Sequence, residues 1–203
     1  MTAHRVVVAT RNPGKVAELR RIFAPYGLDL VGLEEFPDAP DVAETGATFA
    51  ENALLKARAA AETTGLLAVA DDSGLAVDAL NDMPGILSAR WSGRHGDDEA
   101  NLSLVLAQLA DIPDERRGAR FVCAAAAATP AGRELVVEAE LVGSLIREPR
   151  GENGFGYDPV FVPEGSDRTT AELSAEDKDA ISHRGKAFRA LAPLLDGLAT
   201  SSG

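Results

Sequence analysis

The stretch Leu66-Leu67-Ala68-Val69-Ala70-Asp71-Asp72-Ser73-Gly74-Leu75 decides how the chain is read. Gly65 and the apolar run Leu66 to Val69 predict a buried strand, with the two acids at its end. An unpaired charge taken out of water is costly, so adjacent carboxylates there point to a held cation or a moving proton. Ser73 and Gly74 add a hydroxyl and a backbone that a ligand can approach closely. Taken alone, the same residues also fit a strand-end turn with solvated aspartates.

Upstream, Arg5-Val6-Val7-Val8-Ala9 predicts a second buried strand. It runs into Thr10-Arg11-Asn12-Pro13-Gly14-Lys15 and then a helix, in which Val16, Leu19 and Phe23 recur at helical spacing. Asn12 suits the N-cap and Pro13 the first helical position. A strand, a polar turn and a helix N-terminus make an anion site, and Lys15 adds a full positive charge. GxxxxGK[ST] and GxGxxG are both absent, so neither a Walker loop nor a dinucleotide fingerprint is present. Asp29-Leu30-Val31 is a possible strand, inside an acid- and proline-rich connection that ends in Glu44-Thr45-Gly46.

Thr48-Phe49-Ala50-Glu51 fits a capping box, opening an alanine-rich helix that Gly65 stops. Asn52 and Lys56 lie four apart on one face of it. Asp97-Asp98-Glu99 opens another helix, whose core face is Leu102, Val105, Leu106 and Leu109. Ser88 to Gly93 is unassigned, and Trp91 reads as packing. Ala124 to Ala128 would suit a helix. The turn at Pro130-Ala131-Gly132 and the alternation from Glu134 to Val142 argue instead for a hairpin, its first strand kept small to admit close packing.

The loop Gly154-Phe155-Gly156-Tyr157-Asp158-Pro159 carries two aromatics, and exposed rings there suit stacking on a planar base. Thr169 to Glu172 offers a second capping box. Lys178, His183, Arg184 and Lys186 gather positive charge near the last helix, which Ser182 can cap and which Gly197 ends, leaving 198–203 as a tail.

The 203 residues carry a net charge of −12, which removes any general attraction to nucleic acid or an anionic membrane. An anionic substrate must then be met by local cations or a bound metal. The one cysteine, Cys123, excludes an internal disulfide and a cysteine-rich zinc site, and three histidines are too few for a histidine metal cluster. No run reaches the length of a signal-peptide core or a bilayer span, so a reducing, cytoplasmic setting is the expectation. An anion turn, an acidic pair, a glycine–aromatic loop and a basic cluster together suit phosphates, Mg²⁺ and a planar base. The residues alone thus reach a Mg²⁺-dependent enzyme acting on a nucleotide.

Six motifs then stand in order: Thr10-x-Asn12-x-x-Lys15-x-x-Glu18, Glu44-Thr45-Gly46-x-x-Phe49-x-Glu51-Asn52-Ala53-x-x-Lys56-Ala57, Ala70-Asp71-Asp72-Ser73-Gly74-Leu75, Gly85-x-x-Ser88-Ala89-Arg90, Gly154-Phe155-Gly156-Tyr157-Asp158-Pro159 and Ser182-His183-Arg184-Gly185. From about residue 5 to 195 the chain closely resembles the noncanonical purine nucleoside triphosphate pyrophosphatases, the inosine/xanthosine triphosphatase family. The resemblance implies an α/β fold: one domain over 1–203, with a central mixed sheet flanked by helices, in two lobes around a substrate cleft. It also implies Mg²⁺-dependent hydrolysis of dITP, ITP and XTP to the monophosphate and pyrophosphate, by a homodimer as a rule.

By motif match, Thr10, Arg11, Asn12, Pro13, Gly14 and Lys15 would cradle the triphosphate. Asp72 would be general base and Mg²⁺ ligand, with Glu44 the second carboxylate and Ser73 on the substrate. Phe155 would stack on the base, Gly156, Tyr157 and Asp158 would complete its loop, and Lys178, His183 and Arg184 would read the 6-oxo edge. Arg11 departs from the small residue usual in relatives. No separate role follows for Asp71. The alternatives are a pyrophosphatase of standard or methylated pyrimidine nucleotides and a non-catalytic nucleotide sensor.

Overall fold

The computed structural model describes residues 5–200. The chain alternates strands and helices: β1 (Arg5–Val8), α1 (Pro13–Phe23), β2 (Asp29–Gly32), α2 (Phe49–Thr64), β3 (Leu67–Val77), α3 (Asp98–Gln108), β4 (Gly118–Ala128), β5 (Glu134–Leu145), β6 (Phe161–Pro163), α4 (Ala175–Ile181) and α5 (His183–Thr200). The sheet order is β2-β1-β3-β4-β5-β6. β1 pairs in parallel with β2 and β3, whereas β5 and β6 are antiparallel, so the sheet is mixed. The α/β expectation holds, and the alanine run is strand β4 of the expected hairpin.

By contact density the chain divides into two compact units. The first comprises 1–72, 123–139 and 184–203. Its strands are buried on both faces, and alternate residues sort to the two sides as strand geometry requires. Val6, Val8, Val69, Cys123, Ala125 and Ala127 pack against Leu19, Ile22 and Phe23 of α1 and Phe188, Leu191 and Leu195 of α5. Val7, Ala68, Ala70, Ala124, Ala126 and Ala128 pack on the other side against Ala53, Ala57, Ala60 and Ala61 of α2. The small side chains of β4 thus admit a helical layer on each face. β1 leads into α1 on one face and α2 leads into β3 from the other, so adjacent β1 and β3 mark a topological switch point. In open α/β sheets the carboxyl ends of such strands form ligand sites.

The second unit, 73–122 and 140–183, has its own core of Leu75, Val77, Leu102, Val105, Leu109, Phe121, Leu145, Val160 and Phe161. Trp91 packs against it and donates from Nε1 to Gln108 Oε1 at 2.9 Å, a packing role as expected. Arg117, 2% exposed, ties this unit by donating to the carbonyls of Leu109, Leu145 and Ile146. Of Ser88 to Gly93, unassigned from sequence, the first three residues belong to a 3₁₀ helix over Gly85–Arg90.

Three local expectations change. β3 does not stop at Val69 but continues through both acids to Val77. It can do so because those acids are paired with cations and amides and need no water. α5 does not end at Gly197 but reaches Thr200, and Leu198 is buried in the core against β1 and β4. Of the expected 198–203 tail, residues 201–203 lie outside the described residues, as does His4. At the start of α2, Thr48 caps Glu51 N–H as expected, but Glu51 reaches back to the N–H of Ala47 rather than Thr48. No helix of the described residues is long and apolar enough to cross a membrane.

Phe188 is fully buried and meets Phe23 edge-on, with centroids 5.6 Å apart. Phe188→Ala is expected to cost about 3–5 kcal/mol, read as a lower denaturation midpoint at unchanged slope in urea.

Candidate active site

Successive residues of a strand point to opposite faces. Val69 lies on the α1/α5 side and Ala68 and Ala70 on the α2 side, so Asp71 turns toward α1 and α5 and Asp72 toward α2. The acids of the opening motif are therefore two sites rather than one cluster.

Asp71 is met by cations from both helices on its face. Lys15 Nζ donates to its two oxygens at 3.3 and 3.2 Å, and Arg184 Nε donates to Oδ2 at 3.1 Å. Arg184 Nη1 also donates to Glu18 Oε2 at 2.8 Å. An open chain of two bases and two acids, Lys15–Asp71–Arg184–Glu18, thus joins α1, β3 and α5, with both of its ends on α1. Burial would push the Asp71 carboxyl up, but Lys15, Arg184 and Lys56 outweigh it and hold it well below the usual carboxylate range. Burial would likewise lower Arg184, yet Asp71 and Glu18 keep its guanidinium charged. A carboxylate so held is a poor proton acceptor.

Asp72 sits among the residues of α2. Asn52 Nδ2 donates to Oδ2 at 3.1 Å, and Lys56 Nζ, one helical turn on, donates to Oδ1 at 3.2 Å. Lys56 also donates to Glu44 Oε1 at 2.8 Å, so its ammonium lies between two carboxylates. Asn52, fully buried, accepts the Gly46 N–H at 2.8 Å and fixes the loop that carries Glu44. A Cβ on Gly46 would fall 2.6 Å from Glu51 Cβ, which only glycine avoids. Burial raises the Asp72 carboxyl, and Glu44 adds to that against the opposing pull of Lys56 and Asn52.

These oxygens fit a divalent cation. The donors are hard carboxylates, a cation already lies between Glu44 and Asp72, and Mg²⁺ takes one or two carboxylates plus substrate phosphates. Lys15, Lys56 and Arg184 oppose Glu18, Glu44, Asp71 and Asp72, which leaves one negative charge in excess. Among the described residues no three His, Cys, Asp or Glu side chains gather as a closed cage, so substrate oxygens would have to complete the shell.

The turn after β1 is more occupied than the sequence suggests. Asn12 caps α1 as expected, but its Oδ1 accepts the N–H groups of Gly14 and Lys15 at 2.9 and 3.2 Å. Those amides are therefore already engaged. Thr10 Oγ1 accepts from Asn12 N–H at 3.2 Å, and Pro13 stands at the first helical position. Arg11 is turned to the Ala39 carbonyl and to Asp41.

In the second unit, Phe155 is 51% exposed with Lys178 Nζ 5.0 Å from its ring centroid. Its ring is thus presented, while its neighbours support the loop. Asp158, buried, accepts from Phe155 N–H and Thr170 Oγ1, each at 2.8 Å, and pairs with Lys178. Tyr157 is buried and donates to the Ser88 carbonyl at 2.8 Å, and Gly156 N–H donates to Asp98 at 2.9 Å. Gly154 has φ +80°, and a Cβ there would strike Asp158 Oδ2. His183 stacks on Phe121 with centroids 4.9 Å apart. Lys178 and His183 belong to this unit, whereas Arg184 belongs to the first, with Asp71 and Glu18. Ser73 begins the second unit within β3.

Sequence reasoning gave no role to Glu18 and left Lys56 secondary. The signals were present: Glu18 is buried and helically spaced from Lys15, and Asn52 and Lys56 share a face.

This arrangement belongs to a known class. A sequence profile of the Ham1 family matches residues 6–194, and the chain belongs to that family. It is 66% identical over 193 residues to a dITP/XTP pyrophosphatase of Streptomyces coelicolor, covering 94% of this chain and 96% of the relative. To the dITP/XTP pyrophosphatase of Mycobacteroides abscessus it is 61% identical over 197 residues, 96% of each chain. Among solved structures, the Ham1 protein of Coxiella burnetii superimposes with a TM-score of 0.87 at 41% identity, over 96% of this chain and 99% of that one. The crystal structure titled nucleoside-triphosphatase / dITP/XTP pyrophosphatase from Mycobacterium abscessus gives 0.77 at 62% identity, over 93% and 99%.

Arg184→Ala would leave buried Glu18 without its guanidinium partner and Asp71 with Lys15 as its remaining contact cation. Breaking one partner of a buried pair costs about 3–5 kcal/mol, and urea denaturation should show a loss of that size.

Proposed function

We propose that this chain is a nucleoside triphosphate pyrophosphatase that hydrolyses dITP, ITP and XTP to the monophosphate and pyrophosphate with Mg²⁺. The observation that carries the reading is the Glu44–Lys56–Asp72 cluster, two carboxylates around a cation on one face of β3. The full-length likeness to dITP/XTP pyrophosphatases supplies the substrate class.

Each group then has a task. Lys15, held by Asp71, is aimed at the triphosphate, and Thr10 and Asn12 line the same turn. Glu44 and Asp72 would hold Mg²⁺, which when bound offsets phosphate charge and makes water more acidic. Asp72 accepts the proton of the attacking water, since Asn52 fixes one of its oxygens and Asp71 is too strongly paired to act as base. Asp71 and Arg184 are positioning residues that keep Lys15 and Glu18 in place. Phe155 stacks on the base, and Lys178 and His183 supply donors for a 6-oxo edge. Adenine carries a donor amine there and would leave those groups unpaired, which rejects ATP. We also place the enzyme in the cytoplasm and, on the resemblance, as one domain working in a homodimer.

The test is to incubate the protein with ITP, dITP, XTP, ATP and dTTP plus Mg²⁺ and to score pyrophosphate against orthophosphate. Pyrophosphate from the deaminated purines with little from ATP and dTTP is expected, and none from ITP or XTP would overturn the reading. Asp72→Asn should lower kcat by roughly 10²–10⁴-fold while nucleotide binding, measured by calorimetry, survives. Near-full activity in that variant would remove Asp72 as base.

A further inference from the structure

We propose that Lys56 is the resident counter-ion of the Glu44–Asp72 pair and releases it only to a bound triphosphate, so that divalent metal and nucleotide bind cooperatively. The inference rests on the reading of those two carboxylates as metal ligands.

The geometry separates fixed parts from a movable one. Asp72 is held through Oδ2 by Asn52, which is itself fully buried and tied to Gly46. The Glu44 loop is fastened to the start of α2 through Gly46 and Ala47. Asp72 cannot turn aside without breaking its bond to Asn52, and the backbone next to Glu44 is pinned to α2. Lys56 is the exception, an ammonium on a flexible four-carbon stem. It lies 2.8 Å from Glu44 Oε1 and 3.2 Å from Asp72 Oδ1, on the two carboxylates read as metal ligands. Metal and ammonium therefore compete for one place.

Displacing Lys56 by metal alone is unfavourable. Its side chain is 15% exposed, and an ammonium stripped of both partners in so closed a place carries an uncompensated charge. A triphosphate changes that balance, because its oxygens accept the ammonium while the metal takes the carboxylates. Each ligand then removes the obstacle to the other, and by linkage the factor is the same in both directions. Couplings of this kind typically run about 5–150-fold.

Mn²⁺ binding, read by the loss of the free-ion electron paramagnetic resonance signal, tests this on the full chain without turnover. Wild-type protein, Lys56→Met and Lys56→Gln are each titrated alone and with a non-hydrolysable α,β-imido analogue of ITP. The wild type should bind Mn²⁺ weakly alone and about 5–150-fold more tightly with the analogue. The Lys56 variants should bind Mn²⁺ more tightly than wild type without nucleotide, and the analogue, after subtraction of the Mn²⁺ that it chelates in protein-free controls, should tighten binding by a smaller factor than in the wild type. Equal or weaker Mn²⁺ binding in a Lys56 variant that keeps its circular dichroism spectrum would overturn the proposal. So would a wild type in which the analogue leaves Mn²⁺ affinity unchanged, a readout that needs no variant to fold. Adding Glu44→Gln to Lys56→Met should abolish the gain. If it does not, the assignment of the metal ligands fails rather than the competition, and the proposal falls with it.

Discussion

Period-two geometry in β3 is the constraint on which the site depends. Two acids side by side in sequence cannot act on the same face of a strand, so each needs its own solution. Asp71 finds Lys15 and Arg184 on one side, and Asp72 finds Asn52 and Lys56 on the other. The helices are where they are because alanines and valines on the same strands bury both faces. One alternation therefore serves the core at Ala68 to Ala70 and again at Leu75 and Val77, with Asp71 and Asp72 set between them.

The division of labour between the acids follows from what surrounds each. Asp71 belongs to a chain of two acids and two bases whose charges cancel, which keeps it ionised and weakly basic. Asp72 shares its cation with Glu44 and keeps an excess of negative charge nearby. Buried ion pairs are weak evidence for stability in themselves, because desolvation cancels much of the attraction. Here the chain of charges also holds Lys15 beside the turn that follows β1.

Much of this was legible in the chain. The β1–turn–α1 unit, the capped α2, the hairpin and the shared face of Asn52 and Lys56 follow from patterns within about fifteen residues. β3 was read as stopping at Val69 because two acids look like a turn when their partners are out of sight. Arg184 lies 113 positions from Asp71, and no local pattern joins them. The same distance hid the place of Arg184, which the basic cluster grouped with Lys178 and His183. Glu18 carried no role in the sequence reading, and only the fold shows it 8% exposed against a guanidinium. The end of α5 was misjudged because Gly197 is a usual stop, whereas the burial of Leu198 favours a further turn of helix.

The cap of α1 also explains a choice of residue. Aspartate caps a helix about as well as asparagine does, and it would complement the positive end of the dipole better. Asn12 meets the same two amides with a neutral side chain. It satisfies the helix end without adding a negative charge to the turn, a neutrality that would leave the approach open to the triphosphate proposed above.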